Sequence, residues 1–241
     1  FFRAMRLARG VLLILDQNAT PFTRIWCAFE EYVAITADAQ ERKEPLKLDI
    51  ATSANSKGYL ITDGPTDAEA MEGESASAEF KTLRELNFDI DVLKRGLKFS
   101  VQTAQASVEE DRSRILNKIA GRNLDAKTVE SDPAYDVVNQ ALAGIFARAG
   151  WSLAVQLGQV QQLEFPQVLA QDAIEKSLSL SFRSFKFLDR DIALLSQGLS
   201  PHLRHLTLIF DCRMAQLSEP GLATLGAHLP STLQQMSLNF E

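Results

Sequence analysis

The sequence predicts an α/β protein in which a partial parallel sheet with flanking helices is followed by a short solenoid of strand–helix repeats. The first observation is the apolar run of residues 11–15, bounded by Gly10 and Asp16, which is typical of a strand buried on both faces. The second is the pair Thr20 and Pro21, which predicts a capped helix directly after that strand. The third is a leucine pattern that recurs three times near the C-terminus.

Composition and charge are those of a soluble globular protein. Hydrophobic residues make up 46% of the 241 residues, charged residues make up 23%, and the formal net charge is -6. This acidic balance, without a basic run, argues against a nucleic-acid partner. The longest apolar run, residues 11–15, is too short for a transmembrane segment. Cys27 and Cys212 lie far apart in the sequence, so we expect two buried free thiols. Free thiols indicate a reducing intracellular compartment, and the cytoplasm is favoured, although the sequence does not identify an organelle.

Residues 1–150 are predicted to form the α/β domain. In chain order we expect a short helix over residues 1–9, the strand at 11–15, a helix from Pro21 to about Ala39, and strands at 46–50 and 59–62. A helix over 80–97, which ends near Gly96, and a strand at 98–101 follow. The last two helices are one that is capped by Ser107 and Glu110 and ended by Gly121, and one that is begun by Asp132 and Pro133 and ended by Gly150. Residues 63–79 are rich in Asp, Glu, Ser, Ala and Gly, which predicts a flexible acidic loop. Residues 151–172 are interpreted as a linker or as a cap for the repeats.

The repeats occupy residues 173–241. Each copy has apolar residues at alternate positions of a strand, and the copies are Leu178-x-Leu180-x-Phe182, Leu206-x-Leu208-x-Phe210 and Met236-x-Leu238-x-Phe240. Successive copies start 28 and 30 positions apart, and a helical stripe of leucine and isoleucine lies between them. One strand and one helix per repeat predict a solenoid in which each unit buries its apolar face on a neighbour.

This pattern resembles the long leucine-rich repeats of the ribonuclease-inhibitor-like class. The resemblance implies that the strands form one parallel sheet, and the side chains between the leucines then face outward. They form two columns, which are Ser179, Thr207, Ser237 and Ser181, Ile209, Asn239. We expect these residues to bind a protein partner, alone or within a larger assembly, and the chain to be an interaction or scaffold protein. The alternative, that these side chains are only solvated, stays open.

The array departs from the family pattern in two respects. Phe182, Phe210 and Phe240 stand at the last inward position, where the family pattern often has Asn, Cys or another residue. The pattern also stops at the third strand without a visible cap, and the sequence begins without Met. We therefore expect a piece of a longer protein or a processed form, with the number of repeats undetermined.

The sequence offers few groups for catalysis. All three histidines, His202, His205 and His228, fall in the repeats, so residues 1–150 have no histidine for a Ser-His or Cys-His pair. Neither a zinc-ligand spacing nor a glycine-rich nucleotide loop is present. We expect no cofactor and no metal, and a non-enzymatic protein is the favoured interpretation.

One motif supports an alternative. Trp26, Cys27 and Glu30 form a W-C-x-x-E sequence that resembles the Toll/interleukin-1 receptor (TIR) domains, which have a flavodoxin-like fold. In family members that cleave NAD, a glutamate on this helix is catalytic, so the resemblance implies a NAD glycohydrolase or signalling protein with Glu30 in that role and NAD as substrate. Asp16 stands where the family usually has Ser. The structural interpretation of the same motif places Trp26 and Phe29 in the core, and Glu30 with Glu31 on a solvated edge.

Overall fold

A computed structural model describes residues 7–34, 46–54, 57–62, 64–183 and 185–240. The strands are β1 (Gly10–Leu15), β2 (Lys47–Ala54), β3 (Lys57–Ile61), β4 (Ser177–Phe182), β5 (Phe187–Leu188), β6 (His205–Phe210), β7 (Ala215–Gln216) and β8 (Gln235–Phe240). The helices are α1 (Ile25–Tyr32), α2 (Asp67–Ala70), α3 (Glu74–Glu85), α4 (Ile90–Leu97), α5 (Glu109–Ile119), α6 (Pro133–Gln156), α7 (Phe165–Gln171), α8 (Asp189–Gln197) and α9 (Glu219–Ala227). The predicted α/β class is confirmed.

The chain divides into two compact units. The first consists of Phe1–Asp63 and Asp89–Ala143, and the second consists of Gly64–Phe88 and Gly144–Glu241. Most of the predicted helix over residues 1–9, and residues 35–39 of the predicted helix to Ala39, lie outside the described residues.

The sheet of the first unit has the strand order β1-β2-β3. Strands β1 and β2 are parallel neighbours, with Leu13 beside Ile50, as expected for the predicted parallel sheet. Strand β3 is antiparallel to β2 and places Ile61 beside Ile50. Within the described residues this sheet is therefore mixed, and the expectation of a parallel sheet is correct only for its first pair.

Strand β1 is buried on one face only. Leu13 and Leu15 are buried, whereas Leu12 and Ile14 are 57% and 67% exposed. The predicted burial on both faces is wrong. The strand stands at the edge of the described sheet, and alternate side chains point to opposite faces, so an apolar run does not reveal how many faces are covered.

A tight turn connects β1 to α1. Both the backbone N–H and the hydroxyl of Thr20 donate to the Asp16 carboxylate, at 2.7 and 2.6 Å. The segment Thr20–Thr23 is a 3-10 turn, and α1 begins only after Arg24, which is extended and forms a bridge with Gln105. The predicted helix from Pro21 is therefore split, and Thr20 does not cap it: the N-cap of the 3-10 turn is Ala19, and the Asp16 carboxylate accepts the N–H of Thr20.

Residues 63–79, which we expected to be a loop, contain helix α2 and the start of α3. Thr66 and Glu69 form a capping box at α2, with Thr66 N–H donating to Glu69 Oε2 at 2.8 Å and Glu69 N–H to Thr66 Oγ1 at 3.3 Å. Arg84 Nε in α3 donates to Glu69 Oε1 at 2.8 Å and joins the two helices. The prediction failed because it weighed the lack of large apolar residues above the helix propensity of Ala and Glu.

The apolar stripe over residues 80–97 does not form one helix. The chain leaves α3 after Glu85 and begins α4 at Ile90, where the Asp89 carboxylate accepts from the backbone N–H groups of Asp91 and Val92 at 2.8 and 3.1 Å. Helix α4 ends at Leu97, near Gly96 as predicted, but its C-cap is Lys98 instead of Gly96.

Two smaller predictions between α4 and α5 are also wrong. The expected strand at residues 98–101 is absent, and the segment Val101–Thr103 is a 3-10 turn whose first N–H donates to Asn139 Oδ1 at 2.8 Å. The expected cap Ser107 is replaced by Val108, which has no capping side chain.

Helix α6 begins as predicted but runs further. The Asp132 carboxylate accepts from the backbone N–H of Ala134 at 3.0 Å, which confirms the predicted start. The helix continues past Gly150 to Gln156 because Trp151 is fully buried and its ring packs edge-on against Phe165 at 5.8 Å. Burial of a tryptophan on this scale outweighs the low helix propensity of one glycine.

The strands of the C-terminal pattern pair in the predicted register. Strands β4, β6 and β8 are parallel neighbours, and Leu178, Leu206 and Met236 lie side by side. Strands β5 and β7 form a second, short parallel pair. Helix α8 packs against α7 and α9.

Phenylalanines at equivalent strand positions form an aromatic row in this unit. The rings of Phe182 and Phe210 stack with centroids 5.6 Å apart, and those of Phe210 and Phe240 stack at 5.1 Å. Phe182 and Phe210 are buried, whereas Phe240 is half-exposed on the last described strand. Phe182 and Phe210 therefore fill the interior of this part of the chain, and Phe240 does not.

Candidate interaction surface

The first predicted column forms one row across the sheet. The register places Thr207 between Ser179 and Ser237 on three parallel strands. Ser179 is exposed, and the other two side chains are partly exposed. Each hydroxyl can donate one hydrogen bond and accept others, so this row can bind polar groups of a partner.

The second column is also in register, but most of it is covered. Ile209 lies between Ser181 and Asn239, and Ser181 and Ile209 are each only 1% exposed. Ser181 Oγ has no hydrogen-bonding partner within the described part of the chain. Contrary to our expectation, these two side chains do not offer a surface to a partner in this structure, and only Asn239 of this column does so in part.

Helix α3 is in contact with β4. The helix packs against this strand, and Arg183 Nη1, directly after the strand, donates to Glu79 Oε2 in α3 at 2.8 Å. Sequence reasoning missed this contact because residues 63–79 were expected to be a loop. The Thr66 and Glu69 capping box was a signal in the sequence that a helix starts there.

The N-terminal ends of β4 and β6 carry polar, exposed side chains. His205 and Ser177 face each other with Nδ1 and Oγ 3.3 Å apart, and both are exposed. On the last strand, Ser237 Oγ donates to Asn239 Oδ1 at 3.1 Å. Hydroxyl, amide and imidazole groups therefore occupy accessible positions on this sheet.

The W-C-x-x-E residues lie on α1, and their environments differ from the structural interpretation. Phe29 is buried as expected, but Trp26 is exposed, with its ring edge-on to Phe29 at 6.4 Å. Glu30 is half-buried, and burial raises the pKa of its carboxyl while Arg24 acts in the opposite direction.

Glu31 does not lie on a solvated edge. The residue is 1% exposed, and neither carboxyl oxygen has a hydrogen-bonding partner among the described residues. Burial, with a smaller contribution from Glu30, raises the pKa of Glu31 from 4.5 to about 8. The side chain is therefore mostly neutral at pH 7.

The two cysteines are free, but they are not both buried. Cys27 is half-buried, and burial raises the pKa of its thiol. Cys212 is exposed, so the expectation of a buried thiol is wrong there. The described ranges contain no group of three or more His, Cys, Asp or Glu side chains placed to hold a metal ion.

Comparisons with protein-family models, with curated proteins and with solved structures found no significant match to this chain. Among the helices in the described ranges, none combines the length and apolar character needed to cross a bilayer. Function is therefore inferred from the fold and the surface of this chain alone.

Proposed function

We propose that this chain is a non-enzymatic interaction protein that binds a protein partner through the outward face of the β4-β6-β8 sheet. The observation that carries the proposal is the row of Ser179, Thr207 and Ser237, in register on parallel strands and accessible to solvent. Neighbouring strands lie about 4.8 Å apart, so the row presents regularly spaced hydroxyls on a rigid support.

The fold that we propose for this part is a short array of ribonuclease-inhibitor-like leucine-rich repeats. The register of Leu178, Leu206 and Met236 supports it, as does the placement of α8 between β4 and β6 and of α9 between β6 and β8. For the first unit we propose a partial TIR-like or flavodoxin-like fold. Its support is the order of β1 followed by α1, together with the parallel pairing of β1 and β2.

The chemistry of the accessible row indicates the kind of contact. The three residues of the row are uncharged, and their small side chains allow a partner backbone or side chain to approach closely. Shape and hydrogen bonds would therefore set specificity here more than ion pairs, as in the polar parts of many protein interfaces.

The test replaces the central residue of the row. Thr207→Arg places a long cation between Ser179 and Ser237, which should block close approach and leave a charge without a partner. A partner protein is first recovered from cell extract with the unaltered full chain. We expect its affinity for the Thr207→Arg variant, measured by titration, to be lower than its affinity for the unaltered chain by about tenfold or more.

The matched control is Ala223→Arg, which adds the same charge at an exposed position of α9 instead of the sheet. This variant should bind the partner as the unaltered chain does. Equal binding by both variants, with both folded by circular dichroism, would contradict the proposed surface.

A further inference from the structure

Helix α3 packs against β4, the first strand of the sheet to which we assign partner binding. We propose that α3 is a built-in lid on this sheet, and that a partner which displaces it is a helix with small side chains and one carboxylate. This inference rests on the proposed function. The argument for it comes from the exposure of β4, the side chains of α3 and the ion pair between them.

Exposure along β4 shows where the lid lies. Ser177, Ser179 and Ser181 alternate with the core leucines and therefore share one face of the strand. The first two are exposed, whereas Ser181 is buried at the C-terminal end of the strand. Arg183, directly after the strand, pairs with Glu79 of α3. The buried end of this face is therefore the end next to the Arg183–Glu79 pair.

The composition of α3 favours displacement. Its buried side chains are small or polar, namely Ser77 and Glu85, and Ala78 is half-buried, whereas Phe80 and Leu83 are 47% and 36% exposed. Hydrophobic stabilisation scales with the apolar area that is buried. A helix that leaves its large apolar side chains in solvent is therefore held weakly for its length.

An ion pair between Arg183 and Glu79 contributes to the contact between β4 and α3. The Arg183 and Glu79 side chains are 16% and 31% exposed and lie 2.8 Å apart. Arg84 and Glu69 join α3 to α2, so the two helices can leave the sheet together. A competing helix would need a carboxylate in place of Glu79 and small residues in place of Ser77 and Ala78.

The first experiment measures amide hydrogen exchange in the full chain. Glu79→Arg replaces the attraction to Arg183 by repulsion, so we expect exchange in residues 74–85 and at the end of β4 to become about fivefold faster or more. Glu72→Arg makes the same charge change at an exposed position outside α3 and should leave this exchange unchanged.

A double variant separates lid opening from general damage. Glu79→Arg combined with Arg183→Glu restores opposite charges and should return exchange toward that of the unaltered chain. If the single variant exchanged as slowly as the unaltered chain, or if the double variant exchanged as fast as the single one, the lid would be refuted.

The second experiment supplies the lid from outside. A fluorescent synthetic peptide of residues 73–88 should bind the E79R chain at least about fivefold more tightly than the unaltered chain, because the attached helix no longer competes. It should bind the Arg183→Glu chain more weakly than the E79R chain, because its carboxylate then meets another. The E72R chain is the control for peptide binding. If the peptide bound the E79R chain no more tightly than the E72R chain, or did not bind the E79R chain, the inference would be contradicted. Neither experiment uses an external partner, so their failure would leave the Thr207→Arg test of the proposed function unaffected.

Discussion

The Glu31 side chain combines burial with the absence of a hydrogen-bonding partner within the described residues. A buried carboxylate without a partner is strongly disfavoured, so the group keeps its proton instead. Its pKa is raised to about 8 by burial, with Glu30 adding to the effect. Stability of the folded chain must therefore depend on pH through this residue.

Stability should fall as pH rises from about 4.5 to about 8 and then level off. The folded state holds the proton up to about pH 8, whereas the unfolded state releases it above its ordinary pKa of 4.5. Between these values the folded state binds more protons, so the free energy of unfolding decreases with pH. Glu31→Gln removes the titrating group. We expect the difference between the free energies of unfolding at pH 4.5 and pH 8, measured with urea, to be about 2–4 kcal/mol smaller in this variant than in the unaltered chain.

The neighbouring variant Glu30→Gln is the control for this measurement. Glu30 is only half-buried, so its removal should leave most of the pH dependence in place. If E31Q kept the full pH dependence of the unaltered chain, Glu31 would not be the buried acid that the structure describes.

Residues on α1 show how much of a helix face can be predicted. The stripe of Ile25 and Phe29 follows from their spacing, and both are buried. Trp26 and Glu31 lie one and two positions away from stripe residues, and their burial depends on which neighbour covers the flank of the helix. Helix α5, which packs against α1, is far away in sequence, so local pattern could not assign these two side chains.

At the level of elements, the break between α3 and α4 depends on one side chain. Asp89 accepts two backbone hydrogen bonds and begins α4, whose Val92 and Leu93 are fully buried. The apolar spacing continues through the break, which explains why the sequence predicted one helix over residues 80–97. The capping aspartate was the available signal, and the periodic stripe was given more weight than this residue.

Asp89→Ala should therefore destabilise the first unit. Loss of the cap leaves two N–H groups of α4 without their acceptor, and we expect a decrease of about 0.5–2 kcal/mol in the free energy of unfolding by urea. Arg95→Ala, at an exposed position of the same helix, should change it by less than about 0.5 kcal/mol. A neutral or stabilising effect of D89A would indicate that residues 80–97 form one continuous helix in solution.

For the whole molecule, the sequence predicted the repeated strands but not the contact between α3 and β4, which no repeat connects. The recurring leucines fixed both the strands and their register, because equivalent positions in a repeated unit must lie side by side. Helix α3, which packs against β4, belongs to residues 64–88, in the same unit as β4 but about a hundred positions earlier, as the separation of Glu79 and Arg183 illustrates. No periodic signal connects these segments, so the contact between α3 and β4 could not be predicted.

The two tryptophans allow the repeat core to be tested separately, because Trp26 belongs to the first unit and Trp151 to the second. Leu208 is fully buried in the central strand β6. In a Trp26→Phe background, Leu208→Ala should leave a cavity and lower the free energy of unfolding reported by Trp151 fluorescence in urea by about 2–5 kcal/mol. Leu222→Ala is the matched control, since this leucine is exposed on α9 and should cost less than about 1 kcal/mol. Equal losses would mean that β6 is not the centre of a packed sheet, and the rigid row of hydroxyls proposed for partner binding would lose its support.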